Sequence, residues 1–368
     1  MRIHILGTRG YPSTYGGFET LVRHLAPYLV RHGHVVTVFD RDRDRCTDGH
    51  RVRLINGVRV YSSRGLAGIR SSTLSHGLTS SVVAAKECPD VVLVMNVANG
   101  FFLPLLRARC VPVVFNVDGI EWERDKWSPL AKQVFLTAAR ATARWADVLI
   151  ADSRVIAERW QQDFGRTSTF VPYGGDLQTE PANFDRIVEL GLKPGRYVLI
   201  VARLVPENNV TMMLGAAKAS GAATVVVGSG GGTKLEKSIY AQHDPPHVLI
   251  LGHVSDQNLL AALWAHCGVY LHGHSVGGTN PALVQALGLG APVLAHDTAF
   301  NREVLVRDEM LVPLNIEIIV SRIQELLSSD LRRASFAQWG RSRVAEVYNW
   351  KSVCARYEAI LRRVARSE

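Results

Sequence analysis

The chain has 368 residues, 47% of them apolar and 20% charged, and carries a formal charge of +9. That length exceeds one typical core and suits two domains, and the composition excludes disorder. No run reaches the roughly 18 apolar residues of a membrane helix, because Phe101 to Val117 is broken by Arg107 and Arg109. The positive charge suits a phosphate-bearing ligand or an anionic membrane surface, while the lack of any Lys/Arg run interleaved with aromatics speaks against nucleic acid.

In chain order, the first half alternates short apolar runs with amphipathic stretches. Strands are expected near Ile3 to Gly7, Val35 to Phe39, Val91 to Met95, Val113 to Val117 and Val148 to Ala151. Entry into the first of these without a basic, apolar leader points to the cytoplasm. Phe18, Leu21, Val22, Leu25 and Leu29 share one face of a helix that Gly33 stops. A second helix opens on Ser128 as cap with Pro129 in its first turn. Leu130, Val134, Ala138 and Trp145 follow at helical spacing, a face expected to pack on a parallel sheet. Cys46, Cys88, Cys110, Cys267 and Cys354 are scattered without CxxC spacing, so neither disulfides nor zinc is indicated and each reads as a small buried residue.

Between Tyr173 and Arg196 the rhythm lapses into Gly-, Pro- and polar-rich sequence, the expected domain boundary. It restarts with apolar runs at 197–202, 223–228, 248–251, 268–271 and 292–295. The closing segment, Trp350 to Arg366, is helical, with Val353, Tyr357, Ile360, Leu361 and Val364 to one side. The expected class is α/β, two Rossmann-like doubly wound domains facing a cleft. They divide as an N-terminal domain over 1–175, a C-terminal domain over 176–345, and a helix over 346–368 packing back on the N-terminal domain.

Candidate site residues sit where loops leave strands. In HGHSVGGTNPALVQALGLGAPVLAHDTAFNREVL, from His272 to Leu305, Gly277 and Gly278 let backbone approach a ligand, with Thr279 beside them. Asn280 caps a helix whose first residue is Pro281, an arrangement that suits a diphosphate. His272 and His274 either contact sugar or phosphate or pack at the strand end. In VARLVPENN, Arg203 can hold a diphosphate bidentately, or pair with Glu207. The first loop, GTRGYPSTYGGFET, brings Gly16 and Gly17 to a helix N-terminus that either admits an anion or is only a tight turn, and Glu19 favours the dipole there. In NVDGIEWERDKW, Asp118 positions or deprotonates a sugar hydroxyl, or caps the next turn, while Glu121 and Glu123 read as solvated or paired. The string DRDRD, Asp40 to Asp44, contains Asp-x-Asp, but its arginines offset the charge and a solvated loop is expected rather than a metal site.

Taken in order, YGGFETLVRHLAPYLVRHGHVVTV, NVDGIEW, VPYGGD, VARLVPENN, GSGGG and the His272 to Leu305 stretch resemble retaining glycosyltransferases of family 4, which have the GT-B architecture. More narrowly, GTRGYPSTYGGFET, NVDGIEWERDKW and HSVGGTNP with FNREVL are similar to the rhamnosyltransferase branch of bacterial polysaccharide assembly. The resemblance implies a nucleotide-diphosphate sugar donor, dTDP-rhamnose or similar, bound through Arg203, His274, Gly277, Gly278, Thr279, Asn280 and Gln285, with Gly16 and Gly17 contributing. It implies a glycan or lipid-linked acceptor bound by Glu19 and Asp118, catalysis by Asp118 and Arg203, no metal, and a place at the inner face of the membrane. Two glutamates usual in the wider family fall here at Gly277 and Gln285, and a lysine falls at Asn208. Gly277 and Asn208 suit the branch; Gln285 does not. A neutral acceptor at that point costs about 1–2 kcal/mol of donor affinity. The alternative it leaves open is a non-catalytic or weakened sugar-nucleotide-binding subunit of a glycan assembly system.

Overall fold

The computed structural model describes residues 1–12, 16–41, 52–63, 71–124, 127–178 and 183–365; Asp42, Asp44 and Cys46 lie outside them. The chain divides into two compact units, Met1–Tyr173 with Trp350–Glu368, and Gly174–Asn349. Each is built around one parallel sheet.

In the first unit the strands are β1 Arg2–Leu6, β2 Val35–Asp40, β3 Val52–Ile55, β4 Val58–Ser62, β5 Val91–Met95, β6 Val113–Val117, β7 Val148–Ala151 and β8 Thr169–Phe170. Their order is β3-β4-β2-β1-β5-β6-β7-β8, parallel except that β3 runs antiparallel to β4. Val91 to Met95 and Val113 to Val117 are buried along their whole length, as expected of strands covered on both faces. The β3–β4 hairpin is absent from the strands expected above. Its signal was present in RVRLINGVRVYS, where Asn56 and Gly57 both take positive φ, 51° and 76°, as a two-residue hairpin turn requires.

The Gly17–Arg31 helix buries Leu21, Val22, Leu25, Ala26 and Leu29 against this sheet's core. The Trp350–Val364 helix packs on that helix and on β5 and β6, adding Val353, Cys354, Tyr357 and Leu361 to the same core. Glu358 ties the two helices together, accepting from His32 Nδ1 at 2.6 Å, His34 Nε2 at 3.0 Å and Arg362 Nη2 at 2.7 Å.

The Pro129–Trp145 helix begins as expected, with Ser128 accepting from the Ala131 N–H. The face assigned to it needs correction. Leu130 is 77% exposed, Val134 and Trp145 are each 37% exposed, and the buried residues are Ala138, Ala139 and Thr142. Small side chains win because the partner is the short helix Val97–Phe102, whose Gly100 backbone comes so close that a Cβ there would lie 2.2 Å from the Ala138 carbonyl oxygen. The cysteines also need correction: Cys267 and Cys354 are buried, but Cys88 is half-buried and Cys110 exposed.

The second unit holds β9 Tyr197–Val201, β10 Ala223–Val227, β11 Val248–Gly252, β12 Val269–His272, β13 Val293–His296 and β14 Leu311–Val312. All neighbours are parallel, in the order β11-β10-β9-β12-β13-β14. This is the 3-2-1-4-5-6 order of a doubly wound sheet, which reverses between its first and fourth strands, here β9 and β12. The two-residue strands β8 and β14 are too short to show periodicity in sequence.

Candidate functional site

Open α/β sheets bind ligands beyond the C-terminal ends of the strands at the reversal point. In the second unit that point lies between β9 and β12, which pair with Leu271 opposite Ile200. Arg203 follows the first of these strands and the Gly277 to Asn280 loop follows the second.

The two loops are stitched together by half-buried backbone and amide contacts. Asn209 Nδ2 donates to the Gly273 carbonyl at 2.8 Å and to Ser275 Oγ at 2.7 Å, and the Ser275 N–H reaches the Glu207 carbonyl at 2.9 Å. Gly273 is needed for this approach, since a Cβ there would sit 2.4 Å from the Asn208 carbonyl oxygen. Asn208, at the position where the wider family was expected to carry lysine, is buried and donates to the Arg203 carbonyl at 2.8 Å. It braces the turn that presents Arg203.

Arg203 itself is exposed and makes no ion pair among the described residues, so the structure does not support a pairing with Glu207. A guanidinium left in this way keeps its planar fork for a bidentate anion. Asn280 caps the Pro281–Gly288 helix, accepting from the Ala282 N–H at 3.0 Å, with Pro281 in the first turn. Because Pro281 has no N–H and Ala282's is taken, backbone donors for an anion come from the preceding loop, where Gly277 has φ 122° and Gly278 and Thr279 are buried, or from Leu283.

His272 is 1% exposed, accepts or donates at 3.0 Å to the Tyr270 hydroxyl and stacks on His274 with ring centroids 4.1 Å apart. Burial, then the neighbouring His274 and His296, hold its pKa well below the usual imidazole range. It is therefore neutral at pH 7, and the positive charge of this site belongs to Arg203 and the helix N-terminus. Asn301 Nδ2 fixes the loop from behind, donating to the His274 carbonyl at 3.1 Å and the His296 carbonyl at 2.8 Å.

Gln285 is engaged within the unit. Its Oε1 accepts from the Asp176 N–H at 3.1 Å and its Nε2 donates to Asp176 Oδ2 at 3.3 Å. Nothing local in the sequence connects these residues, which lie 109 positions apart.

In the first unit, Asp118 follows β6, half-buried, with Oδ2 accepting from the Tyr173 hydroxyl at 2.8 Å. Tyr173 is 2% exposed, and burial, followed by the charges of Asp118 and Asp152, pushes its pKa well above the usual phenol value. The phenol is thus a permanent donor that fixes one carboxylate oxygen. Glu121 pairs with Arg124 at 2.8 Å and Glu123 with Arg159 at 2.5 Å, so both are structural.

Gly16 and Gly17 stand at the start of the Gly17–Arg31 helix, Gly16 as its cap with φ 125°. Glu19 does more than complement the dipole: it is 5% exposed, and its Oε1 accepts from the Arg9 N–H at 2.9 Å, tying the loop after β1 to the helix. Among the described residues no group of three or more His, Cys, Asp or Glu side chains is placed to hold a metal ion. No helix among them is long and apolar enough to cross a membrane.

Among the described residues, the second unit places an arginine without an ion pair and a capped helix N-terminus at its reversal point, an arrangement that suits an anion. The family comparison makes this specific. Residues 16–174 match the Glycosyl transferase 4-like domain and residues 185–343 the Glycosyl transferases group 1 domain, so the chain carries both domains of the glycosyltransferases that these models describe.

Solved structures agree on the GT-B fold. Sucrose-phosphate synthase from Thermosynechococcus elongatus superposes with TM-score 0.83 at 17% identity, covering 98% of this chain and 98% of that one. HepE from Anabaena, in complex with UDP, gives 0.73 at 18% identity over 98% and 99%. A UDP-forming alpha,alpha-trehalose-phosphate synthase from Burkholderia vietnamiensis gives 0.69 at 15% identity over 99% and 100%. No curated protein matches the sequence.

Proposed function

We propose that the protein is a retaining glycosyltransferase that moves a sugar, rhamnose by its motifs, from a nucleotide diphosphate to a glycan or lipid-linked acceptor. The observation that carries this reading is Arg203, exposed and without an ion pair among the described residues, at the β9–β12 reversal point that also holds the Asn280-capped helix. HepE, which shares the fold, is known in complex with UDP, which supports a nucleotide-sugar donor.

In the proposed reaction the bond from the anomeric carbon to the phosphate oxygen breaks, and the acceptor oxygen bonds to the same face of that carbon. The acceptor proton passes to the departing phosphate. Arg203 and the Gly277 to Asn280 amides stabilise the charge that gathers on the leaving diphosphate. Asp118, held by Tyr173, orients the acceptor hydroxyl on the first unit. The +9 charge favours association with an anionic membrane that presents a lipid-linked acceptor at its cytoplasmic face.

Gln285 favours a second reading, a weakened sugar-nucleotide-binding subunit, because its amide is already committed to Asp176. Asp118→Asn separates the two. In the enzyme it abolishes transfer from dTDP-rhamnose to lipid-linked acceptor while nucleotide binding is retained; if the wild type transfers no sugar from any nucleotide donor, the binding subunit is the correct reading.

A further inference from the structure

We propose that the first unit contains a phosphate subsite built on Arg9 and Arg41, which takes a phosphate or diphosphate ester carried by the acceptor. The inference rests on the reading of this unit as the acceptor unit. Arg9 lies in the loop after β1 and Arg41 follows β2, so both stand at the C-terminal end of the sheet, on neighbouring strands.

Their backbones meet where the Arg41 N–H points at the Arg9 carbonyl, 3.4 Å away. The Arg41 guanidinium is half-buried. Its Nε donates to the Thr8 carbonyl at 3.2 Å and its Nη1 to Thr73 Oγ1 at 3.1 Å, and it has no ion pair among the described residues. Among the described residues, two of the five N–H groups of this guanidinium are used, both on neutral oxygens.

Burial, and then the positive charge of Arg9, lower the pKa of Arg41, with partial relief from Glu19. Among the described residues, neither nearby carboxylate forms an ion pair with it. Glu19 Oε1 is engaged by the Arg9 N–H, and Asp40 is paired with Arg53 at 3.1 Å.

The lining beside Arg41 is polar and neutral. His76 is 1% exposed and shares a 2.5 Å hydrogen bond between Nδ1 and Ser63 Oγ; burial and the charge of Arg41 push its pKa down to about 3. Its Nε2 and the buried Thr8 Oγ1 have no hydrogen-bond partner among the described residues. A half-buried cation next to a second positive charge, with donors unspent among the described residues and buried orphan polar atoms beside it, is stabilised by a bound dianion. A guanidinium fork matches phosphate in charge and shape.

The test is a phosphorus NMR titration of the full-length protein with phenyl phosphate, inorganic phosphate and pyrophosphate, each with and without saturating UDP or dTDP. The expected result is phosphate-ester binding that persists with nucleotide present and is tighter for the ester than for inorganic phosphate. Arg41→Gln and Arg9→Gln should each weaken it by about tenfold or more, leaving nucleotide affinity unchanged. Arg9 is exposed, so its variant decides the matter if Arg41→Gln fails to fold. Binding that nucleotide displaces completely, or that both variants leave intact, overturns the subsite; inorganic phosphate binding as tightly as the ester overturns its assignment to the acceptor. If no nucleotide binds yet arginine-dependent ester binding remains, the donor reading fails and the subsite stands.

Discussion

Gln285 and Asp176 hold each other through a reciprocal pair of hydrogen bonds, the Asp176 N–H to Gln285 Oε1 at 3.1 Å and Gln285 Nε2 to Asp176 Oδ2 at 3.3 Å. Only an amide serves both, because it accepts with one atom and donates with the other. A glutamate would keep the first bond and set carboxylate against carboxylate at the second. This explains physically why glutamine is stable at this position. Gln285→Glu is therefore expected to lower stability by about 1 kcal/mol at neutral pH, limited by the exposure of Asp176, without raising nucleotide affinity. Adding Asp176→Asn should restore it. Urea unfolding and calorimetric titration of the wild type and the two variants check this, and tighter donor binding by Gln285→Glu alone would refute it.

Tyr173 is expected to act through Asp118. Tyr173→Phe removes a hydroxyl that donates to the carboxylate at 2.8 Å, so kcat should fall by about tenfold with the KM for the donor nearly unchanged. The carboxylate loses a donor to its charged form, and the acid limb of the pH–rate profile should move to higher pH. An unchanged limb would mean that Asp118 does not control the rate.

The helix that closes the first unit gives a pH dependence of stability. Glu358, 10% exposed at its side chain, has its pKa lowered to about 2 from 4.5: burial raises it, but hydrogen bonds from His34, Arg362 and His32 outweigh burial. A depressed carboxyl pKa contributes stability that is complete above the unfolded value of 4.5 and is lost as pH falls towards 2. The contribution is on the order of 2–3 kcal/mol. Unfolding curves at pH 7 and pH 3 should show the wild type losing more stability than Glu358→Gln over that interval; parallel losses would count against the cluster.

The corrected face of the Pro129–Trp145 helix has its own test. Leu130→Ser changes a side chain that is 77% exposed and should shift stability by less than about 0.5 kcal/mol. Gly100→Ala drives a methyl group against the Ala138 carbonyl and Thr142 Oγ1, and should cost about 2–3 kcal/mol. Equal effects in thermal unfolding would return the packing to the larger side chains.

The parts of this molecule that were legible in its sequence are those set by neighbours along the chain. Apolar runs such as Val91 to Met95 announced buried strands, and Asn280 with Pro281 announced a capped helix, because a strand's burial and a cap's hydrogen bond depend on adjacent residues. On the Pro129–Trp145 helix, spacing identifies a stripe but not what lies opposite, and here a glycine backbone selects alanines over leucine. The Asn56-Gly57 hairpin carries a local turn signal, although its strands mix apolar and polar residues and form no continuous apolar run. Asp176 beside Gln285, Tyr173 beside Asp118 and Arg9 beside Arg41 are meetings made by the order of strands and loops, and no spacing in the chain encodes them.

The proposed donor site at the β9–β12 reversal point of the second unit depends on Arg203. It is tested by isothermal titration of dTDP-rhamnose, UDP-glucose and the free diphosphates into wild type and Arg203→Gln. Saturable binding of at least one sugar nucleotide is expected, weakened about tenfold or more by the substitution with the folded state unchanged. Equal affinity in the two proteins, or no binding of any sugar nucleotide to the wild type, would contradict it.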